Sequence, residues 1–278
     1  MRIFVLEKMR FSIKTAPHSA RPIIDRWTIL HLPRRKDRMP LALSNAERLG
    51  VPRDIVGFWD AKDADDFEST EAIITSAVAD GFEAFENVDP NARFPGRICQ
   101  TWNVCRFLRD LAHRGGIEMF IHDGMLMSYV DIAPLGFFPD FQWFCECVEA
   151  CQAQPTAFQL LVIGDIHAHF PIAPIAPGSC ISSGIGHESN SVRVYSSLGA
   201  KSVLERIQHR LRRGIYEADI MFREDEVDGE KFESYWSPPG SYTLLYQQLA
   251  MDMPPEYLGS NTVDWKAQTG RYQKLFEK

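Results

Sequence analysis

The stretch that decides the fold reads Trp27-Thr28-Ile29-Leu30-His31-Leu32-Pro33-Arg34-Arg35-Lys36-Asp37-Arg38. Its first half is a short apolar run, and its second half is a proline followed by a charged cluster. A short apolar run that ends in turn residues is typical of a buried strand that enters a polar turn. The sequence therefore predicts a strand at 27–32 with a cationic turn directly at its end.

The residues after this turn show apolar side chains at helical spacing, closed by Gly50 with Pro52 just beyond it. That pattern predicts an amphipathic helix that ends at the glycine. Val56 to Trp59 then indicates a second strand, which leads into an acidic loop from Asp60 to Asp66. The order strand, helix, strand predicts a parallel βαβ unit.

The same alternation continues along the chain. Helical spacing recurs at 71–85, 98–113, 137–151 and 198–213, and apolar runs at 118–121, 159–163 and 192–195 predict further strands. We therefore predict an α/β protein with a mixed, mostly parallel sheet flanked by helices.

Polar groups stand directly after two of the predicted strands, at His122-Asp123-Gly124 and at Gly164-Asp165. Open α/β sheets bind ligands outside the carboxyl ends of their strands. Both positions are therefore candidate ligand sites.

The composition favours a folded, soluble protein. The 278 residues are 45% hydrophobic and carry a net charge of −7 at pH 7. This is enough apolar material for a core, and it gives no overall field that would hold nucleic acid. No run approaches the roughly 18 apolar residues that a membrane span needs. We expect a cytoplasmic protein with no nucleic-acid partner and no membrane span.

The domain prediction divides the chain into three parts. Residues 1–26 are a basic extension, in which arginine and lysine outnumber Glu7 and Asp25. Apolar residues between these charges also resemble an organelle presequence, so targeting is the alternative to a loosely ordered extension. Residues 27–250 form one α/β domain, and residues 251–278 form a C-terminal extension that packs on it.

Three of the six cysteines, Cys145, Cys147 and Cys151, lie in an aromatic stretch with helical character. No obvious secretory signal is present, so we expect reduced thiols. The spacing C-x-C-x3-C has no second half such as C-x2-C. Burial as small apolar side chains is therefore favoured over a zinc site.

The segment from Leu30 to Arg38 resembles the opening strand and turn of glycosyltransferase family 25, the lipooligosaccharide and collagen galactosyltransferase family. That family's pattern is roughly I-N-L-x-R-R-x-D-R, and His31 stands here in place of its Asn. Residues 58–63, Phe-Trp-Asp-Ala-Lys-Asp, are similar to the family's A-x-D-G-x-D segment. Looser matches follow in the same order at 96–98 and 194–201, for a G-E-I-G-C helix start and an A-Y-x-x-S-x-x-G-A block.

The resemblance implies a GT-A-type, Rossmann-like fold that transfers a sugar from a nucleotide-sugar donor, with UDP as the expected nucleotide. The acceptor would be a glycan, a protein or a small molecule, and the donor diphosphate would bind with Mn²⁺ or Mg²⁺. Where the family has Glu-Asp-Asp, this chain has His122-Asp123-Gly124, and Asn103-Val104 replaces the family's Ser-His pair. The loss of two carboxylates leaves fewer of the oxygen ligands that these ions prefer.

Sugar transfer requires a nucleotide pocket, neutralisation of the departing diphosphate and usually a base for the acceptor hydroxyl. Arg34, Arg35 and Arg38 are the candidate nucleotide contacts, because guanidinium groups bind phosphate through paired hydrogen bonds. Asp60 stands where the end of the second strand would meet the base or ribose.

Asp123 is the predicted metal or diphosphate contact, with His122 and His167 as further candidate ligands. The resemblance places Asp219 near a late Asp of the family, which makes it the candidate acceptor base. Asp165 is a second catalytic candidate, because it follows another strand and could converge with Asp123.

Two other functions stay open. A chain that keeps the fold and binds nucleotide, but has lost its metal site, would be a non-catalytic relative. Asp165, His167 and His169 form a D-x-H-x-H set that resembles the start of metallophosphoesterase signatures, and alternate residues of an extended chain share one face. The third hypothesis is therefore a metal-dependent phosphoesterase.

Overall fold

The computed structural model describes residues 22–123, 140–155, 158–162 and 192–216, together with short strands at 127–128, 173–174, 182–183, 226–227, 230–231, 234–236 and 243–244. Three predicted site residues, Asp165, His167 and Asp219, lie outside the described residues. So do His169, most of the N-terminal extension and all of the C-terminal extension.

The described residues contain five helices, twelve strands and three short 3-10 segments. The helices are α1 Arg38–Arg48, α2 Thr70–Ala79, α3 Pro95–Arg114, α4 Phe141–Gln152 and α5 Ser197–Arg212. The strands are β1 Arg26–His31, β2 Val56–Asp60, β3 Ile117–His122, β4 Met127–Ser128, β5 Leu160–Val162, β6 Ala173–Pro174, β7 Ser182–Ser183, β8 Val192–Ser196, β9 Glu226–Val227, β10 Glu230–Lys231, β11 Ser234–Trp236 and β12 Thr243–Leu244. The 3-10 segments are Arg53–Ile55, Ala64–Asp66 and Glu83–Asn87. None of these helices is long and apolar enough to cross a membrane.

Eight strands form one sheet in the order β2-β1-β3-β8-β5-β11-β7-β6. β1 pairs in parallel with β2 and β3, and β5 pairs in parallel with β11. β8 runs antiparallel to both of its neighbours, β3 and β5. The predicted α/β class, with a mixed and mostly parallel sheet flanked by helices, is confirmed.

The two faces of the sheet bury alternate residues of each strand, as the period of two requires. On β1 and β3, Ile29 and Met119 belong to the core that α1 and α4 cover. Leu30 and Phe120 belong to the core that α2, α3 and α5 cover. The chain is therefore layered as helices, sheet and helices.

Several helices begin where the sequence provides a capping side chain. The side chains of Ser69, Asp140 and Ser196 each accept a hydrogen bond from the backbone N–H of the third residue of α2, α4 and α5, respectively. Such caps satisfy donors that have no partner within the helix. α1 begins directly after the charged turn, which places the turn between the end of β1 and the first turn of the helix.

The helix predicted at 71–85 is shorter in the structure. α2 ends at Ala79, because Gly81 adopts a left-handed conformation with φ of 90°, and a 3-10 segment follows. Asp80 at this break accepts hydrogen bonds from Trp102 and Arg109 of α3, at 3.0 and 2.9 Å. Burial alone would raise the pKa of Asp80, but these two bonds lower it below its ordinary value.

The three clustered cysteines are core residues. Cys145, Cys147 and Cys151 all lie buried in α4 among the apolar side chains of the α1 and α4 layer. Burial raises the pKa of Cys145 to about 11, which keeps the thiol protonated. Within the described residues no group of three or more metal-ligating side chains is placed to hold an ion. The packing interpretation of these cysteines agrees with this arrangement.

Candidate functional site

β1 and β3 form a topological switch point. From β1 the chain passes through α1 to β2 on one side, and from β2 it returns through α2 and α3 to β3 on the other side. In open α/β sheets the crevice outside the carboxyl ends of strands at such a point is the usual ligand site. Both Asp123 and the turn that follows His31 lie at these carboxyl ends.

Asp123 connects the ends of the two strands. Its backbone N–H donates to the Leu30 carbonyl at 2.9 Å, and only 5% of the residue is exposed. Its Oδ2 accepts the Leu32 N–H at 3.2 Å and lies 3.0 Å from Nδ1 of His31. Its Oδ1 accepts a hydrogen bond from Arg38 at 3.1 Å. The expected position of Asp123, beside the charged turn, agrees with this geometry.

These contacts limit what Asp123 can do for a metal ion. A carboxylate has about four lone-pair positions, and three are already used by His31, Leu32 and Arg38. A divalent ion of the Mg²⁺ type requires about six oxygen ligands. The described residues alone therefore do not form a site for such an ion, and the metal role of Asp123 stays a prediction.

His122 and Asp123 have different surroundings: His122 packs on the α3 side, and Asp123 binds Arg38 of α1. The His122 ring packs edge-on against Phe120, with 5.4 Å between the ring centroids. Phe120 in turn contacts Phe107 of α3, whereas Asp123 contacts Arg38 of α1. Alternate residues of a strand share one face of a sheet, so His122 lies with Phe120 on the α3 side. Its role as a metal ligand stays a prediction, as does that of His167.

The arginines of the turn are each held by a carboxylate. Arg35, only 8% exposed, donates from Nε and Nη2 to the two oxygens of Asp37, at 3.0 and 2.8 Å. This paired bond lowers the pKa of Asp37 below its ordinary value. Arg34 donates to Asp63 and lies 3.2 Å from Asp65, and the bond to Asp63 raises the pKa of Arg34. The guanidinium groups are thereby fixed in direction before any ligand binds.

The acidic loop after β2 borders the same edge. Asp60 is exposed at the end of β2, in register with His31 of β1. The loop continues through Lys62 to Asp63, which is buried at 5% exposure. Both backbone groups of Lys62 bind the side-chain amide of Asn103 in α3. The predicted residues Arg34, Arg35, Arg38, Asp60 and Asp123 therefore share one edge of the sheet.

Sequence reasoning did not assign roles to His31, Asp63 or Asn103. The signal for His31 was available, because it ends a buried strand in the same way as His122 ends β3. Asp63 belonged to a matched motif but had no partner until the structure placed Arg34 against it. Nothing in the local sequence indicates that Asn103 contacts a loop some forty residues earlier.

No protein-family model matches this sequence, and no curated protein matches it either. Among solved structures, the chain is similar to mannose-1-phosphate geranyltransferase from Thermus thermophilus. The two sequences are 12% identical, the match covers 80% of this chain and 75% of that chain, and the TM-score is 0.36.

Proposed function

We propose that this chain is a glycosyltransferase that binds a nucleotide-sugar donor, with UDP as its nucleotide, at the carboxyl edge of β1 and β3. The observation that carries the proposal is the joint position of the arginine turn and Asp123 at the topological switch point. That point is where α/β sheets bind nucleotides most often. The turn offers there the residue type that binds phosphate best.

The arginine turn and the acidic loop would bind different parts of the donor. Arg35 and Arg38 would face the diphosphate, and their fixed charge would stabilise the negative charge that develops on the leaving group. Asp60, exposed at the end of the neighbouring strand, would accept hydrogen bonds from the ribose hydroxyls or the base. Arg34 would sit at the boundary, since it already contacts Asp63 of the loop. Asp219, or alternatively Asp165, is proposed as the acceptor base.

A divalent ion, if one is used, would bind together with the donor. Asp123 has about one of its four lone-pair positions left. Diphosphate oxygens would supply the further ligands and charge that Mn²⁺ or Mg²⁺ requires. His122 and His167 are proposed as additional ligands on the strength of the sequence pattern alone.

The same geometry favours a second candidate function. Because Asp123 is engaged by three protein groups, a chain that binds nucleotide without catalysing transfer would have the same contacts. The two functions differ in turnover: only the transferase releases UDP from a UDP-sugar. The phosphoesterase hypothesis depends on Asp165, His167 and His169, and no described contact bears on it.

A thermal-shift titration tests the proposal. A ligand that binds only the folded state stabilises it by RT ln(1 + [L]/Kd), so UDP and UDP-sugars should raise the melting temperature, and the rise should continue with ligand concentration above Kd. AMP and orthophosphate are the control ligands, and each should raise the melting temperature less than UDP does at the same concentration. A melting curve that millimolar UDP leaves unchanged, both with and without Mn²⁺, would contradict nucleotide binding and with it both candidate functions.

A further inference from the structure

We infer that Asn103 is a positioning residue for the nucleotide site: it holds the acidic loop 60–66 in a fixed place relative to the arginine turn. The inference rests on the proposed function and extends it to a residue that does not touch the ligand. Asn103 lies in the buried part of α3, with 3% of its surface exposed.

The contact between Asn103 and the loop is two-sided. The Lys62 N–H donates to Oδ1 of Asn103 at 2.8 Å, and Nδ2 of Asn103 donates to the Lys62 carbonyl at 2.9 Å. The thiol of Cys99, one turn earlier in α3, also lies 3.4 Å from that carbonyl. The side chain thus binds the backbone of a single loop residue from both directions, as a neighbouring strand would.

The loop is in turn connected to the arginine turn. Asp63, directly after Lys62, accepts hydrogen bonds from Arg34 and from the Asp65 N–H. A continuous series of contacts therefore runs from Asn103 through the loop to Arg34. α3 packs in the core against Leu30 of β1 and Phe120 of β3. This series of contacts therefore holds the loop in a fixed position relative to the sheet.

The consequence concerns ligands that span the two segments. UDP would contact the turn with its diphosphate and the loop with its nucleoside, so it gains affinity when the two are already aligned. Pyrophosphate would contact only the turn, which has its own supports in Asp37 and Asp123. Loss of the Asn103 contacts should therefore weaken UDP binding selectively.

A side-chain amide both donates and accepts, which the two bonds to Lys62 require. Asn103→Leu keeps the approximate volume and removes both hydrogen bonds. Asn103→Asp keeps the acceptor for the Lys62 N–H but places a negative charge against the Lys62 carbonyl. Thr101→Val is the matched control, because Thr101 is a buried residue of the same helix whose hydroxyl binds the Tyr216 carbonyl instead of the loop.

The experiment is calorimetric titration of UDP and of pyrophosphate into the full-length wild type and the three variants, below their melting temperatures. We expect the ratio of the UDP affinity to the pyrophosphate affinity to fall by about tenfold in Asn103→Leu. A loss of this size is the cost expected when UDP must order the loop as it binds. The same ratio should also fall in Asn103→Asp. This second variant provides the test if Asn103→Leu does not fold. Thr101→Val should keep the wild-type ratio.

The outcomes separate this inference from the proposed function. A wild type that does not bind UDP, whether or not it binds pyrophosphate, contradicts the proposed function. A wild type that binds UDP, with the same affinity ratio in both Asn103 variants, contradicts only the positioning role. A ratio that falls equally in Thr101→Val would show that general loosening of α3 is responsible, and it would also overturn the inference.

Discussion

The two edges of the sheet each contain a buried carboxylate bound by arginine. At the amino edge, Glu118 is 1% exposed, accepts hydrogen bonds from Thr28 and Arg114, and lies 3.7 Å from Arg26. At the carboxyl edge, Asp123 is 5% exposed and bound to Arg38. By residue type and burial alone, the two groups look equivalent.

The chain around them is not equivalent. At the amino edge only Gly115 and Gly116 separate α3 from β3, and α5 follows β8 without a gap. At the carboxyl edge the chain leaves β3 and β5 by much longer segments, 124–139 and 163–191, whose described residues form only short strands. Long connections at the carboxyl ends of strands are where α/β proteins carry their sites. A buried ion pair therefore indicates a function only when its place in the topology agrees.

The largest effect is expected from a change that tests the packing of the amino edge. A Cβ added to Gly199 in α5 would lie 1.8 Å from the backbone carbonyl oxygen of Gln159. Because the backbone cannot move aside freely, Gly199→Ala should lower the free energy of unfolding by about 3 kcal/mol. Denaturant unfolding measures this loss.

The matched control is Gly57→Ala in β2, where an added Cβ meets no atom within 4 Å. Its unfolding free energy should stay within about 0.5 kcal/mol of wild type. Equal stability of the two variants would show that the amino edge is not packed as described.

The next largest effect is expected from variants of the two buried carboxylates, Asp123 and Glu118. Asp123→Asn and Glu118→Gln each remove a charge that accepts hydrogen bonds from an arginine, so each should lower the unfolding free energy by about 2 kcal/mol. Only Asp123→Asn should also weaken the Mn²⁺ binding that depends on UDP, because only Asp123 lies at the proposed donor site. Calorimetric titration of Mn²⁺ in the presence of saturating UDP makes the comparison.

His122→Ala is expected to change this nucleotide-linked Mn²⁺ binding less than Asp123→Asn does, since its ring packs on the opposite face against Phe120. If wild type and Asp123→Asn bind Mn²⁺ with equal affinity, Asp123 is not the metal position. A metal-independent or non-catalytic protein would then be the better description.

The smallest effect is a pKa change at the turn. The paired bond from Arg35 lowers the pKa of Asp37 below its ordinary value. The stabilisation from this lowered pKa is present above the ordinary value and is lost as the pH falls through the folded-state pKa. If the diphosphate of UDP draws Arg35 away, the pKa of Asp37 should rise toward its ordinary value.

Carboxyl NMR titration with and without UDP measures this change, and Arg35→Ala should raise the pKa of Asp37 without any ligand. An Asp37 titration that saturating UDP leaves unchanged would mean that Arg35 keeps its partner in the complex. The exchange of Asp37 for the diphosphate as the partner of Arg35 would then be contradicted.

The order of the elements could be predicted from the sequence, because buried strands require apolar runs and the buried faces of helices require apolar residues at helical spacing. The strand predicted at 27–32 is observed as Arg26–His31, and the strand predicted at 118–121 is observed as Ile117–His122. The helix predicted at 198–213 is observed as Ser197–Arg212. The rule that ligands bind at strand ends also predicts Asp123 beside the turn.

The rest depends on contacts distant in sequence. The apolar run at 192–195 gives no direction, so the antiparallel orientation of β8 could not be inferred from it. The pairing of His31 with Asp123 follows from the register that places Leu30 opposite His122. Such a register arises only when the sheet assembles. The same holds for the contact between Asn103 and Lys62, which requires α3 to pack on the sheet.

The most direct test of the account is the UDP affinity of two arginine variants, one from each edge. Arg35→Ala removes a guanidinium at the carboxyl edge, and Arg26→Ala removes a half-exposed one at the amino edge. Calorimetric titration should show UDP binding at least about tenfold weaker in Arg35→Ala, as expected for a lost charged hydrogen bond, and unchanged in Arg26→Ala. Equal affinity of UDP for wild type and Arg35→Ala, or an equal loss in both variants, would contradict a nucleotide site at the carboxyl edge of β1 and β3.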